Sequence, residues 1–179
     1  ARMSSVIKPA SSTLGFTLVE LMIVVLILAI VALIAYPSYV DLMKRMEAKR
    51  VKSALLHANQ EAKLHAYLMK RDVHLCLADE LGRCHRQAGH KVMLFVDNND
   101  NHRFDESGDT LVQEYPLKMK YGTLEMRMSA LRHYMRYYGD TGLPRGHFGH
   151  FSYCMDGEAS KSHRVVVSNM GYVRVEEGC

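Results

Sequence analysis

The sequence predicts an α+β protein. A long N-terminal α-helix, membrane-spanning in its first half and kinked near Pro37, is packed on a C-terminal antiparallel β-sheet domain. Three observations carry this expectation. The stretch 21–36 (LMIVVLILAIVALIAY) is apolar without interruption. Helical spacing of small and apolar residues continues from Val51 to Met69. From Val73 onward, short β-branched, aromatic or alternating runs are separated by turn clusters.

Composition sets the outer bounds. The chain has 179 residues, 48% hydrophobic and 23% charged, with formal net charge +4 and a mean hydropathy near zero. This fits one globular domain with an appendage. It excludes a polytopic membrane protein and a fully disordered chain, and the charge is small for a protein built around nucleic acid. The averages hide an uneven distribution, because Glu20 is the only charged residue from Phe16 to Val40. Crossing a hydrocarbon core of about 30 Å takes about 20 apolar residues, so this segment is long enough. It exceeds the roughly 7–15 residues of a signal-peptide core, and no small-x-small cleavage site follows it. A carboxylate in a bilayer costs a few kcal/mol or more, so Glu20 needs a partner.

Pro37 lacks an N–H and clashes with the preceding turn, hence the expected kink. Beyond it, Val51, Ala54, Leu55, Ala58, Ala62, Ala66 and Met69 form one apolar face of an amphipathic stem over residues 41–71. A helix from Phe16 to Arg71 would be roughly 80 Å long. Residues 72–179 form the β-rich head. Strands are expected at Val73–Cys76, Val92–Val96, Thr110–Leu117, Thr123–Met128 and Phe148–Cys154. Arg164–Ser168 and Tyr172–Val175 would make a closing hairpin around Asn169-Met170-Gly171. Leu131–Tyr138 fits strand or helix.

The run Gly15-Phe16-Thr17-Leu18-Val19-Glu20-Leu21, followed by the apolar stretch and Pro37, resembles the class III signal of type IV pilins and type II secretion pseudopilins. The resemblance implies a leader over residues 1–15, cut after Gly15 by a prepilin peptidase, and N-methylation of Phe16. Loss of Arg2 and Lys8 with the leader would halve the formal charge. In that family the acid at the position of Glu20 sets the register of a subunit joining the filament, and a free amine at Phe16 would be its partner. Glu61-Ala62-Lys63 to Cys76, Leu94–Asn99 with Asp105 and Gly108–Val112, Gly149–Cys154 and Arg164–Val175 are similar to the GspH/FimT group, which includes FimU-like minor pilins. The resemblance implies the pilin fold and a minor pilin that helps initiate or cap a type IV pilus. Its partners would be other minor and major pilins, the peptidase and an inner-membrane assembly platform. Two alternatives are a FimT-like DNA-binding pilin for natural transformation and a minor pseudopilin of type II secretion.

Topology signals conflict. Lys44, Arg45, Lys49, Arg50 and Lys52 follow the span, whereas only Arg2 and Lys8 precede it. The positive-inside rule would place the head in the cytoplasm. The even cysteine count and the resemblance place it in the periplasm before assembly and outside the cell, at the pilus tip, afterwards. Cys76, Cys84, Cys154 and Cys179 allow three disulfide connectivities. Cys76–Cys84 with Cys154–Cys179 is favoured because each closes a compact unit, and the second resembles the C-terminal loop of many pilins. A metal site from Cys76, Cys84, His85 and His90 lacks paired CxxC spacing.

Asp97, Asn99, Asn101 and Asp105 alternate like a calcium loop, but His102 replaces the turn glycine and Gly108 the bidentate Glu. His147 and His150 would lie on opposite faces of a strand, as surface residues. No metal or other cofactor is expected. No GxSxG, P-loop or HExxH occurs, so the chain is not expected to be an enzyme. A weak DNA-binding patch would comprise Lys161, Arg164 and Arg174 with Tyr172 as stacking platform. The FimT-type Gly-Arg-x-Arg becomes Gly171-Tyr172-Val173-Arg174 here, and Glu176 and Glu177 would repel phosphate. Arg132, Arg136 and Arg145, interleaved with Tyr134, Tyr137 and Tyr138, form a second basic candidate.

Overall fold

The computed structural model describes residues 16–87 and 89–179. The expected leader, with Gly15 and its cleavage site, lies outside the described residues. The chain divides into two compact units, the first ending at Asp41 and the second spanning Leu42–Cys179.

Helix α1 runs Leu18–Met69 and includes Pro37. Its portion in the second unit buries Ala48, Val51, Leu55, Ala58, Ala62 and Ala66. That is the expected small-residue stripe, except that Met69 is exposed and Ala54 only half-buried. Alanines at these positions let the helix backbone approach the strands closely. The helix ends two residues before the expected Arg71, at a left-handed Lys70 (φ 53°). Gly139 packs against this end: a Cβ there would fall 2.4 Å from the Arg71 nitrogen and 2.5 Å from the Lys70 carbonyl carbon.

Among the described residues eight strands follow: β1 (Val73–Ala78), β2 (Lys91–Val96), β3 (Thr110–Pro116), β4 (Thr123–Met128), β5 (Met135–Tyr137), β6 (Gly149–Cys154), β7 (His163–Val167) and β8 (Val173–Glu177). They match the expected strands within a few residues. The ambiguous stretch 131–138 resolves into the short β5. The antiparallel arrangement is divided between two four-stranded sheets, ordered β3-β2-β1-β5 and β4-β6-β7-β8.

The division follows from side-chain alternation. In the first sheet, Val73, Leu75 and Leu77 of β1, with Val92, Leu94 and Val96 of β2, share the main core with the helix stripe. The opposite face carries Cys76, Ala78, Met93 and Phe95, covered by Tyr134. Both faces of β1 are therefore buried. In the second sheet, Met126, Phe151, Tyr153, Val165 and Val167 point into the main core.

Two buried polar anchors tie the helix to the sheets. Glu47, 4% exposed, accepts hydrogen bonds from the backbone N–H groups of Lys120 (2.7 Å), Tyr121 (3.0 Å) and Gly122 (3.0 Å) and from the Tyr153 hydroxyl (2.8 Å). Gly122 is required there, because a Cβ would fall 2.4 Å from the Tyr153 ring. Asn59 donates to the Leu55 carbonyl (2.7 Å) and accepts from the Tyr137 hydroxyl (2.6 Å).

Disulfides join Cys76 to Cys84 and Cys154 to Cys179, each with 5.6 Å between Cα atoms. The first closes the turn after β1. The second ties the C-terminus to the end of β6, beside the β7–β8 hairpin.

Burial alone would push the Glu47 carboxyl up, but the hydrogen bonds it accepts outweigh this and hold its pKa below the usual value. Burial holds His163, stacked on Tyr153 at 5.1 Å, down to about 4 from 6.5, helped by the charge of Lys52. Both shifts act in the same direction. A depressed pKa contributes stability at higher pH that is lost as pH falls. His163 acts between its unfolded value near 6.5 and about 4; Glu47 acts below the ordinary carboxylate range. Stability should therefore fall on acidification, and His163→Gln should flatten the profile in the upper window. Glu47→Ala strands four donors and should cost about 3 kcal/mol or more. Denaturant titrations across pH measure both. Cys154→Ser/Cys179→Ser should lower stability by about 2–4 kcal/mol, read by the same titrations.

Candidate functional site

The N-terminal end of α1 is built by a local cap. Thr17 immediately precedes the helix, and its hydroxyl accepts the Glu20 backbone N–H at 3.2 Å. This is one half of the Thr-x-x-Glu capping arrangement, which satisfies a donor that the first turn would otherwise leave open. Glu20 sits in the first turn, where a negative charge complements the helix dipole. The same carboxylate that is costly in a bilayer is thus favourable for the helix end. The Thr-x-x-Glu spacing is legible in the sequence, where Glu20 stands out as the charge in an apolar run and as the acid of the class III signal resemblance.

Beyond the cap, every residue from Phe16 to Tyr39 is exposed. The side chains include Leu21, Ile23, Leu26, Ile30 and Leu33, each more than half exposed. This helix is long and apolar enough to cross a membrane. Continuous exposed apolar surface of this extent demands a nonaqueous neighbour, either lipid or apolar protein surface.

The expected basic patch is only partly assembled. Across the outer face of the second sheet, strand pairing lines up Arg127, His150, Val166 and Arg174 in one row. The adjacent row is Glu125, Ser152, Arg164 and Glu176. Arg127 pairs with Glu125 (3.0 Å) and Arg174 with Glu176 (2.9 Å). Three arginines against two glutamates leave one net positive charge on these rows. Burial, followed by Arg164 and Arg127, pushes the His150 pKa down, so it adds no charge at neutral pH. Tyr172 is 76% exposed and lines a shallow groove with Phe148, His150, Val166 and Arg174. Lys161 lies elsewhere, paired with Glu158, which also binds Lys44.

The second basic candidate is bound internally. Arg136 pairs with Asp72 (2.6 Å) and Arg145 with Asp140 (2.7 Å), and both guanidinium groups lie over the Tyr138 ring. Tyr137 is buried. In the alternating loop, the side-chain amides of Asn99 and Asn101 donate to Asp105 (3.4 and 2.5 Å), and Asp97 accepts backbone N–H groups from Asn101 and His102. His147 departs from the expectation of a surface histidine: it is 5% exposed and packs 5.4 Å from Tyr134. The buried acid Glu47 had no sequence signal other than its place beside the helix stripe.

Comparison with known proteins adds two findings. Residues 11–36 match the prokaryotic N-terminal methylation motif. No curated protein sequence matches the chain. Among solved structures, the minor pseudopilin EpsH from the type 2 secretion system of Vibrio cholerae is similar at 14% identity and a TM-score of 0.51, covering 73% of this chain and 97% of that one. The type IV minor pilin FimU of Pseudomonas aeruginosa is similar at 13% identity in two crystal forms. Their TM-scores are 0.47 and 0.46, covering 70% of this chain and 87% and 91% of those chains. The EpsH likeness establishes a shared fold: one long helix packed through its second half on an antiparallel β head.

Proposed function

We propose that this chain is a minor pilin, a structural subunit that helps initiate or cap a type IV pilus. One observation carries the proposal: a matched N-terminal methylation motif heads an apolar helix that is exposed from Phe16 to Tyr39. In this reading the peptidase cuts after Gly15, Phe16 becomes the methylated N-terminus, and residues 16–40 anchor the subunit in the inner membrane before assembly. The head then faces the periplasm, and the assembled subunit sits at the pilus tip. Helix entry into a bundle of like helices replaces lipid contacts with protein contacts. Glu20, four residues from Phe16, pairs with an N-terminal amine and sets register, since an unpaired carboxylate in that core is costly. The head docks on other minor and major pilins.

The two disulfides support the pilus over the type II secretion pseudopilus, because an exposed filament tip benefits from a stapled head. DNA binding is the second reading, favoured by exposed Tyr172 beside Arg174 on the outer sheet face. The paired glutamates there make it weak.

Glu20→Ala and Glu20→Lys should leave the protein in the membrane fraction but absent from sheared filaments. Immunoblots of the two fractions test this, and normal incorporation of both variants would refute the register role. For the full chain in detergent, gel shifts should show at most weak DNA binding. Its log–log salt slope should be no steeper than about −3 for three arginines, and Arg164→Ala/Arg174→Ala should abolish it.

A further inference from the structure

The second face of the first sheet holds a group of side chains that neither filament assembly nor the core requires. His74 lies on the central strand β1, paired across the sheet with Phe95 and Arg136. It is 1% exposed, and both ring nitrogens are buried without a hydrogen-bond partner. A histidine used only as apolar filling would be replaced by phenylalanine at no polar cost, whereas two unpartnered buried nitrogens are unfavourable. Asp97 follows β2 directly and has a fully buried side chain. The loop then turns through left-handed Asp100 and His102 (φ 59° and 60°). This brings the His102 ring back to 5.8 Å from that of His74. The His102 Nδ1, itself buried and without a hydrogen bond, lies 3.5 Å from Asp97 Oδ2.

We propose that His74, Asp97 and His102 form a binding site for one first-row transition-metal cation, with zinc as its probe. One ligand atom from each residue lies within 4.8 Å of the other two. Zinc–ligand bonds of 2.0–2.1 Å in a tetrahedron put ligands about 3.3 Å apart. The ligands must draw together to close that difference, and His102, on a loop and one-third exposed, is the ligand freest to move. Two imidazoles and one carboxylate suit zinc, nickel, copper or iron and disfavour calcium and magnesium, which take oxygen. Water or Asp100, whose Oδ1 is 3.8 Å from His102 Nδ1, completes the shell.

The surroundings fit a cation. Asp97, Asp100 and Asp72 lie near the group, and Arg136 beside it is itself paired to Asp72 (2.6 Å) and Asp100 (3.7 Å). Asp97 Oδ2 accepts the His102 N–H at 2.7 Å, and the His102 carbonyl contacts His133 Nε2 at 3.1 Å. These hydrogen bonds fix the loop that carries His102, as partners outside a metal's own ligands hold a ligand in place. Tyr134 covers the group, its ring 5.0 Å from His74 and 4.8 Å from His102. The alternating loop uses Asp97 differently: a calcium site there would draw on Asn99, Asn101 and Asp105 and would ignore both histidines.

The test uses the untagged full chain in detergent, stripped of metal and titrated with zinc chloride by calorimetry, with metal content measured after dialysis. The wild type should bind one zinc per chain, with a rise in melting temperature. His102→Asn, which accommodates the left-handed backbone, should weaken binding by about tenfold or more while keeping the wild-type far-ultraviolet spectrum. His74→Gln should do the same, and His57→Asn on the helix should bind normally. Cobalt substitution should give a tetrahedral ligand-field spectrum in the wild type that is lost in His102→Asn. Absence of zinc binding by the wild type, or undiminished binding by His102→Asn, overturns the proposal whatever His74→Gln does. Calcium binding that persists in both histidine variants, without zinc binding, assigns the loop to its oxygen donors instead.

Discussion

The buried carboxylate of Glu47 organises the second unit of this chain. It projects from the apolar side of the helix into a cradle of three consecutive backbone N–H groups and one tyrosine hydroxyl. The loop before β4 could not bury those N–H groups without an acceptor. The helix could not bury a carboxylate without donors. Each element thus makes the other's burial affordable, and the geometry fixes the helix along its axis and in rotation. Tyr153 carries the same contact into the second sheet, and His163 stacks on Tyr153. Asn59 and Tyr137 repeat the arrangement toward the first sheet. Between these polar anchors the helix presents alanines, which set a close approach but not a unique rotation. Directional hydrogen bonds supply the specificity that small apolar residues lack.

The two units obey opposite solvent rules. In the second, apolar side chains are covered by both sheets and the stem. In the first, side chains are exposed from Phe16 to Tyr39, and the cap formed by Thr17 and Glu20 is a polar device at the helix start. A helix of this kind is complete in itself as to backbone hydrogen bonds but incomplete as to environment. An apolar environment, lipid or apolar protein surface, is what satisfies it.

Each of the two sheets carries one disulfide. Cys76–Cys84 secures the turn after β1, and Cys154–Cys179 holds the C-terminus to β6. Charges on the outer sheet face are largely spent on one another, as Arg127–Glu125 and Arg174–Glu176 show. A surface with its charges paired in this way offers a polyanion little net field.

The apolar run, the Gly-Phe-Thr-Leu-Val-Glu-Leu segment and the alternation in Thr123–Met128 are local patterns, and local patterns determined the helix, the motif and most strands from sequence alone. Helix and strand periods are set by the backbone of neighbouring residues, so composition within a short window is enough to reveal them. Tertiary structure decided the rest. Leu131–Tyr138 became a short strand because β1 offered an open edge to Met135–Tyr137. His147 went inside because Tyr134 lay over its position. Arg136 and Arg145, basic in the sequence, met Asp72 and Asp140. His74, Asp97 and His102 came together because β1 and β2 pair and the following loop folds back. These outcomes depend on which distant residues share a face, and that is fixed by strand register and packing, which no local window contains.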